Sequence, residues 1–145
     1  MSLAILTILS GIQIPMDLRS RMLSRNATFL AVAAILLVLT RTSIARDDAS
    51  ILIVSMTAAT VVVGGFALVH VMSSGSLGLG DVLLAAPLTL SVALAGIKEV
   101  TYWLLLATFS GSLHGIVLKF RTGKSQLPFG PHMLGSACLV LLLNL

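Results

Sequence analysis

The stretch "GSLGLGDVLLAAPLTLSVALAGI", Gly75–Ile97, sets one carboxylate between a glycine-rich turn and sixteen residues without a charge. That carboxylate, Asp81, is one of only five acidic side chains among 145 residues. Outward from it the same poverty of charge recurs. The chain is 57% hydrophobic and 10% charged, with a mean hydropathy of +1.09. A soluble domain carries about a quarter charged residues, so this chain has too little polar surface to cover a water-exposed globule. The solvent that suits it is a bilayer.

Charges and turn residues divide the sequence into six apolar segments: Ser2–Met16, Ala27–Thr40, Ile51–Met72, Val82–Ile97, Val100–Phe120 and Phe129–Leu145. They are too long and too continuously apolar for barrel strands, which alternate with a period of two. Helices are the other way to satisfy a spanning backbone. The expected fold is an all-α integral membrane protein, one domain forming a bundle of about six transmembrane helices. No basic run precedes "MSLAILTILSGIQIP", so the first segment reads as a membrane helix rather than a cleaved signal peptide. The first, second and fourth segments are short. About fifteen helical residues reach roughly 22 Å against a hydrocarbon core of about 30 Å. They are expected to thin the bilayer, to draw flanking residues inward or to lean on longer neighbours.

The net charge of +4 points to topology rather than to nucleic acid, because the basic residues cluster between apolar runs. Arg19, Arg21, Arg25, Lys119, Arg121 and Lys124 lie at or after the ends of the odd segments, whereas Arg41, Arg46 and Lys98 follow the even ones. The richer side is expected to be cytoplasmic. Asp17 follows segment one and Asp81 precedes segment four, so six spans place them on the same face, with Asp47, Asp48 and Glu99 on the other. Lone Cys138 excludes an intrachain disulfide and a cysteine-based zinc site, and reads as a packing residue. Tyr102 and Trp103 read as interfacial aromatics. Asn26-Ala27-Thr28 fits a glycosylation pattern, but it falls on the expected cytoplasmic side.

Two carboxylates at one membrane boundary form a possible acid–base pair. Peptide hydrolysis needs a base to activate water and an acid to protonate the leaving amine, and two aspartates sharing one proton supply both. Each also has a plain structural alternative: Asp81 as a helix N-cap, Asp17 as the partner of Arg21 one turn on. Gly75, Gly78 and Gly80 leave the backbone open to close approach by another chain. His70, His114 and His132 also fall toward this side. They show no metal-ligand spacing, and neither a metal nor another cofactor is expected.

Three blocks carry a resemblance. "GLGD" at Gly78–Asp81 resembles the GxGD motif of the type IV prepilin peptidases. "IPMDLRSRMLS" around Asp17 resembles that family's first aspartate block, and "LPFGPHMLGSA", Leu127–Ala137, its late Pro-Phe-Gly-Pro segment. The blocks occur in the family's order and span nearly the whole chain. The chain is similar to the short, peptidase-only forms of tight-adherence (Flp-type) pili, having neither the zinc-binding insertion nor its cysteines. Presenilin-like enzymes share GxGD but carry a Pro-Ala-Leu motif that is not found here. The resemblance implies an aspartic endopeptidase of the bacterial inner membrane, its site facing the cytoplasm and its catalytic pair Asp17 and Asp81. The substrate would be a prepilin or pseudopilin with a short basic leader. Gly78, Gly80, Pro128 and Gly130 would then help to shape the substrate cleft. The chain departs from the family pattern at Leu83, where lysine is usual, and at Leu23–Arg25, where Ile-Pro-Asn is usual. The alternative from another class is a non-enzymatic membrane subunit of a pilus, secretion or transport assembly.

Overall fold

The computed structural model describes residues 25–73, 77–122 and 129–143. The described residues form five helices and no strand: α1 (Arg25–Ala45), α2 (Ser50–Met72), α3 (Leu79–Ala93), α4 (Ile97–Thr122) and α5 (Gly130–Leu143). The first apolar segment, Ser2–Met16, lies outside them. Three stretches are long and apolar enough to cross a membrane: Thr28–Ala45, Ser50–Met72 and Ile97–Val117. Helices α3 and α5 are shorter, at 15 and 14 residues. Leu30, Val61, Leu68, Val71, Phe109 and Leu142 are exposed on the outside of the bundle, an apolar coat suited to lipid.

Two boundaries differ from the sequence expectation in a way that matters. The second segment is not short: α1 runs to Ala45, past Arg41, because a charge ends the hydrocarbon-soluble stretch without ending the helix. The fourth begins earlier, at Leu79, so Asp81 lies inside the first turn of α3 rather than ahead of it. The residue at the N-cap is Gly78, in extended conformation. The reading of Asp81 as N-cap is therefore corrected to the third helical position.

Helix α3 packs against every other described helix, whereas α1 meets only α2 and α3, and α5 meets only α3 and α4. Eleven of its 15 residues are buried, from Asp81 to Ala93, which is how a helix of about 22 Å is kept from lipid. Its long neighbours supply the apolar surroundings that its own length cannot. On one side Leu84, Ala85, Leu88 and Val92 join Trp103 and Ala107 of α4 and Met133 and Ala137 of α5. On another, Leu90 meets Ile35 and Leu39 of α1 and Ala59 of α2. Helix α2 turns Ser55, Ala58, Ala59 and Val62 inward. That repeat of small residues every three or four positions lets helices approach closely in a membrane.

Trp103 faces the interior of the bundle. It is wholly buried, and its indole Nε1–H donates to the Met133 carbonyl at 2.9 Å, bolting α4 to α5. Tyr102, its neighbour, is exposed. Pro87 stands inside α3; it removes one backbone donor from the helix. Nearby, Thr89 Oγ1 donates to the Ala85 carbonyl at 2.7 Å.

The ends of the helices gather in two groups. At one end Ile51 and Leu52 of α2 and Leu94, just past α3, pack on the cluster built around Leu39. The turn joining α1 to α2 lies here. Asp47 adopts a left-handed conformation, φ 49°, which Asp tolerates better than most residues. The following carboxylate, Asp48, accepts from the Ser50 N–H at 2.9 Å and so satisfies one free donor at the start of α2. The same end carries the tight turn from α3 to α4, closed by Gly96 at φ 150° with Glu99 folded over it.

Hydrogen bonds from Ser50, side chain first and then backbone, with Arg46 adding a weaker attraction, hold the Asp48 carboxyl below its ordinary range. A carboxyl depressed on folding stabilises the fold above its unfolded pKa of about 3.9, and that contribution is lost as pH falls through the lower folded value. Thermal unfolding of wild type and Asp48→Ala in detergent should therefore differ at neutral pH and converge on acidification below that range. An equal difference at all pH values would contradict this assignment.

Candidate functional site

The other end of the bundle holds the residues that the sequence singled out. The connection from α2 to α3 is short, so the last turn of α2 and the first turn of α3 lie together. His70, in the last turn of α2, meets the carbonyl of Leu77 through Nδ1 at 2.6 Å. A carbonyl can only accept, so Nδ1 carries the proton. This bond ties α2 to the residue immediately before the Gly-Leu-Gly-Asp run. The backbone N–H groups of Asp81 and Val82 then return to the Gly78 carbonyl at 3.0 and 3.4 Å, opening α3.

Asp81 is 6% exposed. Its carboxylate lies back over Gly78: a β-carbon built on that glycine would stand 3.3 Å from Oδ2. The glycine leaves the space in which the carboxylate rests. Gly80, one residue before Asp81, is half-buried in the same turn. The positive end of the α3 dipole faces the carboxylate, which favours its charge. Burial works the other way, because an ionised group removed from water is costly unless it is paired or hydrogen-bonded. Leu83, where the prepilin peptidase pattern has lysine, is half-buried on α3.

Phe129, Gly130 and Pro131 join the same end. Phe129 precedes α5, with its ring 6.1 Å from that of Phe66 on α2 at a tilt of 55°. Gly111 of α4 lies directly beneath it: a methyl group there would overlap the Phe129 ring. Phe129 thus wedges between α2 and α4, on the space that the missing side chain of Gly111 leaves. Gly130 opens α5 and is buried, and Pro131 follows in the first turn, a place where its lacking N–H costs no intrahelical bond. One turn past Gly111, His114 Nδ1 lies 2.9 Å from His132 Nε2, the rings edge to face.

Asp17 and Pro128 lie outside the described residues, as do Leu23 and Ser24. Among the sequence-predicted site residues, the structure therefore places Gly78, Gly80, Asp81 and Gly130 at the end of the bundle where Phe66 and His70 of α2, Gly111 and His114 of α4, and Phe129 and His132 of α5 also sit. The α1–α2 turn, with Asp47 and Asp48, and Glu99 of α4 belong to the opposite end. At the Asp81 end three contacts are not legible as pairs in the sequence: His70 with the Leu77 carbonyl, Phe129 with Gly111, and His114 with His132. The glycine at 111 could have served as a signal, since a lone glycine amid apolar helix residues marks a close approach. Its partner could not be read from spacing.

An apolar groove of about 450 Å³ runs between α2 and α4, lined by Val62, Phe66, Val69, Leu104, Thr108 and Phe129, and ending at Leu77. Leu77, among its lining residues, immediately precedes the glycine turn. A second groove of about 460 Å³, among Val32, Leu36, Ala59, Val63, Ala86 and Leu90, reaches neither Leu77 nor Phe129. Among the described residues no group of three or more His, Cys, Asp or Glu is gathered. No protein-family description, curated protein or solved structure matches the chain.

The wedge of Phe129 on Gly111 makes a direct test of how this end is built. Gly111→Leu is expected to destabilise the protein by about 1–3 kcal/mol through overpacking. Combined with Phe129→Ala, the damage should be less than the sum of the two single effects, because the ring that clashes is gone. Strictly additive unfolding energies would show that the two residues do not meet.

Proposed function

We propose that this protein is a membrane aspartic endopeptidase that removes the basic leader of prepilin-like or Flp-type pilin and pseudopilin precursors, with Asp17 and Asp81 as its acid–base pair. The observation that carries the reading is the setting of Asp81. It is a buried carboxylate in the first turn of the helix on which the four other described helices pack. A chain with five acidic residues has little reason to hold one there without a role, since carboxylates at membrane depth are costly. The resemblance in three ordered blocks supplies the reaction, and Asp17 is its expected partner. In this reading the bundle has six spans and its two aspartates face the cytoplasm of a bacterial inner membrane.

The chemistry follows from one shared proton. The ionised member of the pair takes a proton from water, and the resulting hydroxide adds to the scissile carbonyl carbon. The protonated member delivers its proton to the departing amide nitrogen, and the C–N bond breaks to give a carboxyl terminus and a new amine. The proton belongs to the pair, so neither aspartate is assigned one fixed role. Gly78 and Gly80, with no side chains in the way, let a substrate backbone approach Asp81. The turn at Pro128–Gly130 would form the facing wall. The groove ending at Leu77 offers room for an apolar stretch of the substrate within the membrane.

A second reading, a non-enzymatic subunit of a pilus, secretion or transport assembly, draws on one feature. A carboxylate at the third position of a helix, folded back over a glycine N-cap, also serves a plain end-stabilising purpose. The two readings separate cleanly. Co-expression of a candidate Flp-type prepilin with wild type, Asp17→Asn and Asp81→Asn should show leader removal, followed by gel mobility, only with wild type. Asparagine has the same shape as aspartate and keeps a side-chain acceptor oxygen, so both variants should remain folded and in the membrane. Full processing by either variant would remove the acid–base pair.

A further inference from the structure

We propose that His70 is a positioning residue for the cleavage reaction, acting through the Leu77 carbonyl to hold the glycine turn on which the Asp81 carboxylate rests. The inference takes its reaction from the peptidase reading, whereas the placement stands on geometry. His70 Nδ1 and the Leu77 carbonyl oxygen lie 2.6 Å apart, a short hydrogen bond. It links the last turn of α2 to the residue that precedes the α3 N-cap.

The restraint reaches Asp81 in two steps. Leu77 stands outside the hydrogen-bond ladder of α3, whose first backbone bonds, from Asp81 and Val82, return to Gly78. The helix thus engages the Gly78 carbonyl and leaves the peptide unit before it to be held from outside. That unit leads into a glycine, the residue with the freest backbone, here exposed and extended at φ −64° and ψ 139°. A turn of the Leu77–Gly78 peptide changes φ at Gly78 and so the entry of α3 relative to α2. Gly78 in its turn leaves the space under the carboxylate, with Oδ2 3.3 Å from where a β-carbon on the glycine would stand.

His70 is itself anchored. The Ser73 N–H donates to the Val69 carbonyl at 2.9 Å, and its Oγ donates to the His70 carbonyl at 3.3 Å, closing the last turn of α2. The Leu77 side chain lines the same groove as Phe66 and Val69 of α2; the histidine supplies the polar tie. Nδ1–H is a donor in this neutral tautomer and in the imidazolium alike, so the tie survives a change of charge on the ring. What the turn requires is a donor on the atom bonded to Cγ. Asparagine carries one there, whereas glutamine carries it one atom further out.

Full-length protein in detergent, given a Flp-type prepilin, tests this directly. His70→Ala should lower kcat by roughly tenfold to a hundredfold, the cost of a small misplacement of a reacting group. KM should change little, because the contacts made by the substrate remain. His70→Asn should restore most of the loss, and His70→Gln should not. Hydrogen exchange on a peptide covering residues 77–82 should be faster in His70→Ala and return toward wild type in His70→Asn. Unchanged exchange in α4 and α5 shows that a variant keeps its fold. Should alanine loosen the whole bundle, the contrast between His70→Asn and His70→Gln carries the test. Wild-type protein that cleaves no prepilin would remove the peptidase reading, and exchange would still decide whether His70 holds the turn. Wild-type kcat in His70→Ala, wild-type exchange across residues 77–82, or equal losses in His70→Asn and His70→Gln would overturn the inference.

Discussion

A helix of 15 residues cannot cross a bilayer of about 30 Å on its own, and this limit organises the described part of the molecule. Helix α3 is covered by α1, α2, α4 and α5, and its interior residues are small or branched: Ala85, Thr89, Ser91, Val92 and Ala93 are all buried. The longer helices meet lipid so that α3 need not. In its first turn the side chain at the third position is buried by the same packing. Asp81 occupies that turn. At the third helical position the carboxylate is buried beside the glycine turn, with Oδ2 lying over Gly78.

The walls around that turn are held by three contacts of different kinds. A hydrogen bond from His70 fixes the residue before Gly78. The ring of Phe129, seated on Gly111, sets the distance between α2 and α4. The indole of Trp103, bonded to the Met133 carbonyl, sets the distance between α4 and α5. None of these has the strength of a core cluster. Phe66, Leu77 and Phe129, which take part in the first two, also line the groove between α2 and α4.

Much of the helical layout could be read from composition, because a spanning backbone has few alternatives and charges mark where apolar runs stop. Boundaries were less legible for the same reason. Arg41 in α1 and Lys98 and Glu99 in α4 are helical, since a charged residue leaves the hydrocarbon without leaving the helix. Asp81 looked like a cap because it follows glycines and precedes an apolar run, but glycine itself serves as N-cap and moves the carboxylate three positions inward. Trp103 followed the usual pattern of an aromatic near a span end; its burial depends on a carbonyl 30 residues away. The facing histidines, 18 residues apart, share no periodicity that a sequence could display. Local signals give the elements, whereas most of the pairs that shape the site join different helices, from 18 to 30 residues apart for the two histidines and for Trp103 with Met133.

The central claim is that Asp17 and Asp81 meet at one end of this bundle. In a Cys138→Ser background, with no other cysteine in the chain, Asp17→Cys and Asp81→Cys introduced together can be oxidised in native membranes. The account predicts an intramolecular disulfide, seen as fragments that stay joined after cleavage between the two positions until reductant is added. The control pair of Asp17→Cys with Glu99→Cys should give none. Fragments that separate without reductant in the first pair, or cross-linking in the control alone, would contradict it.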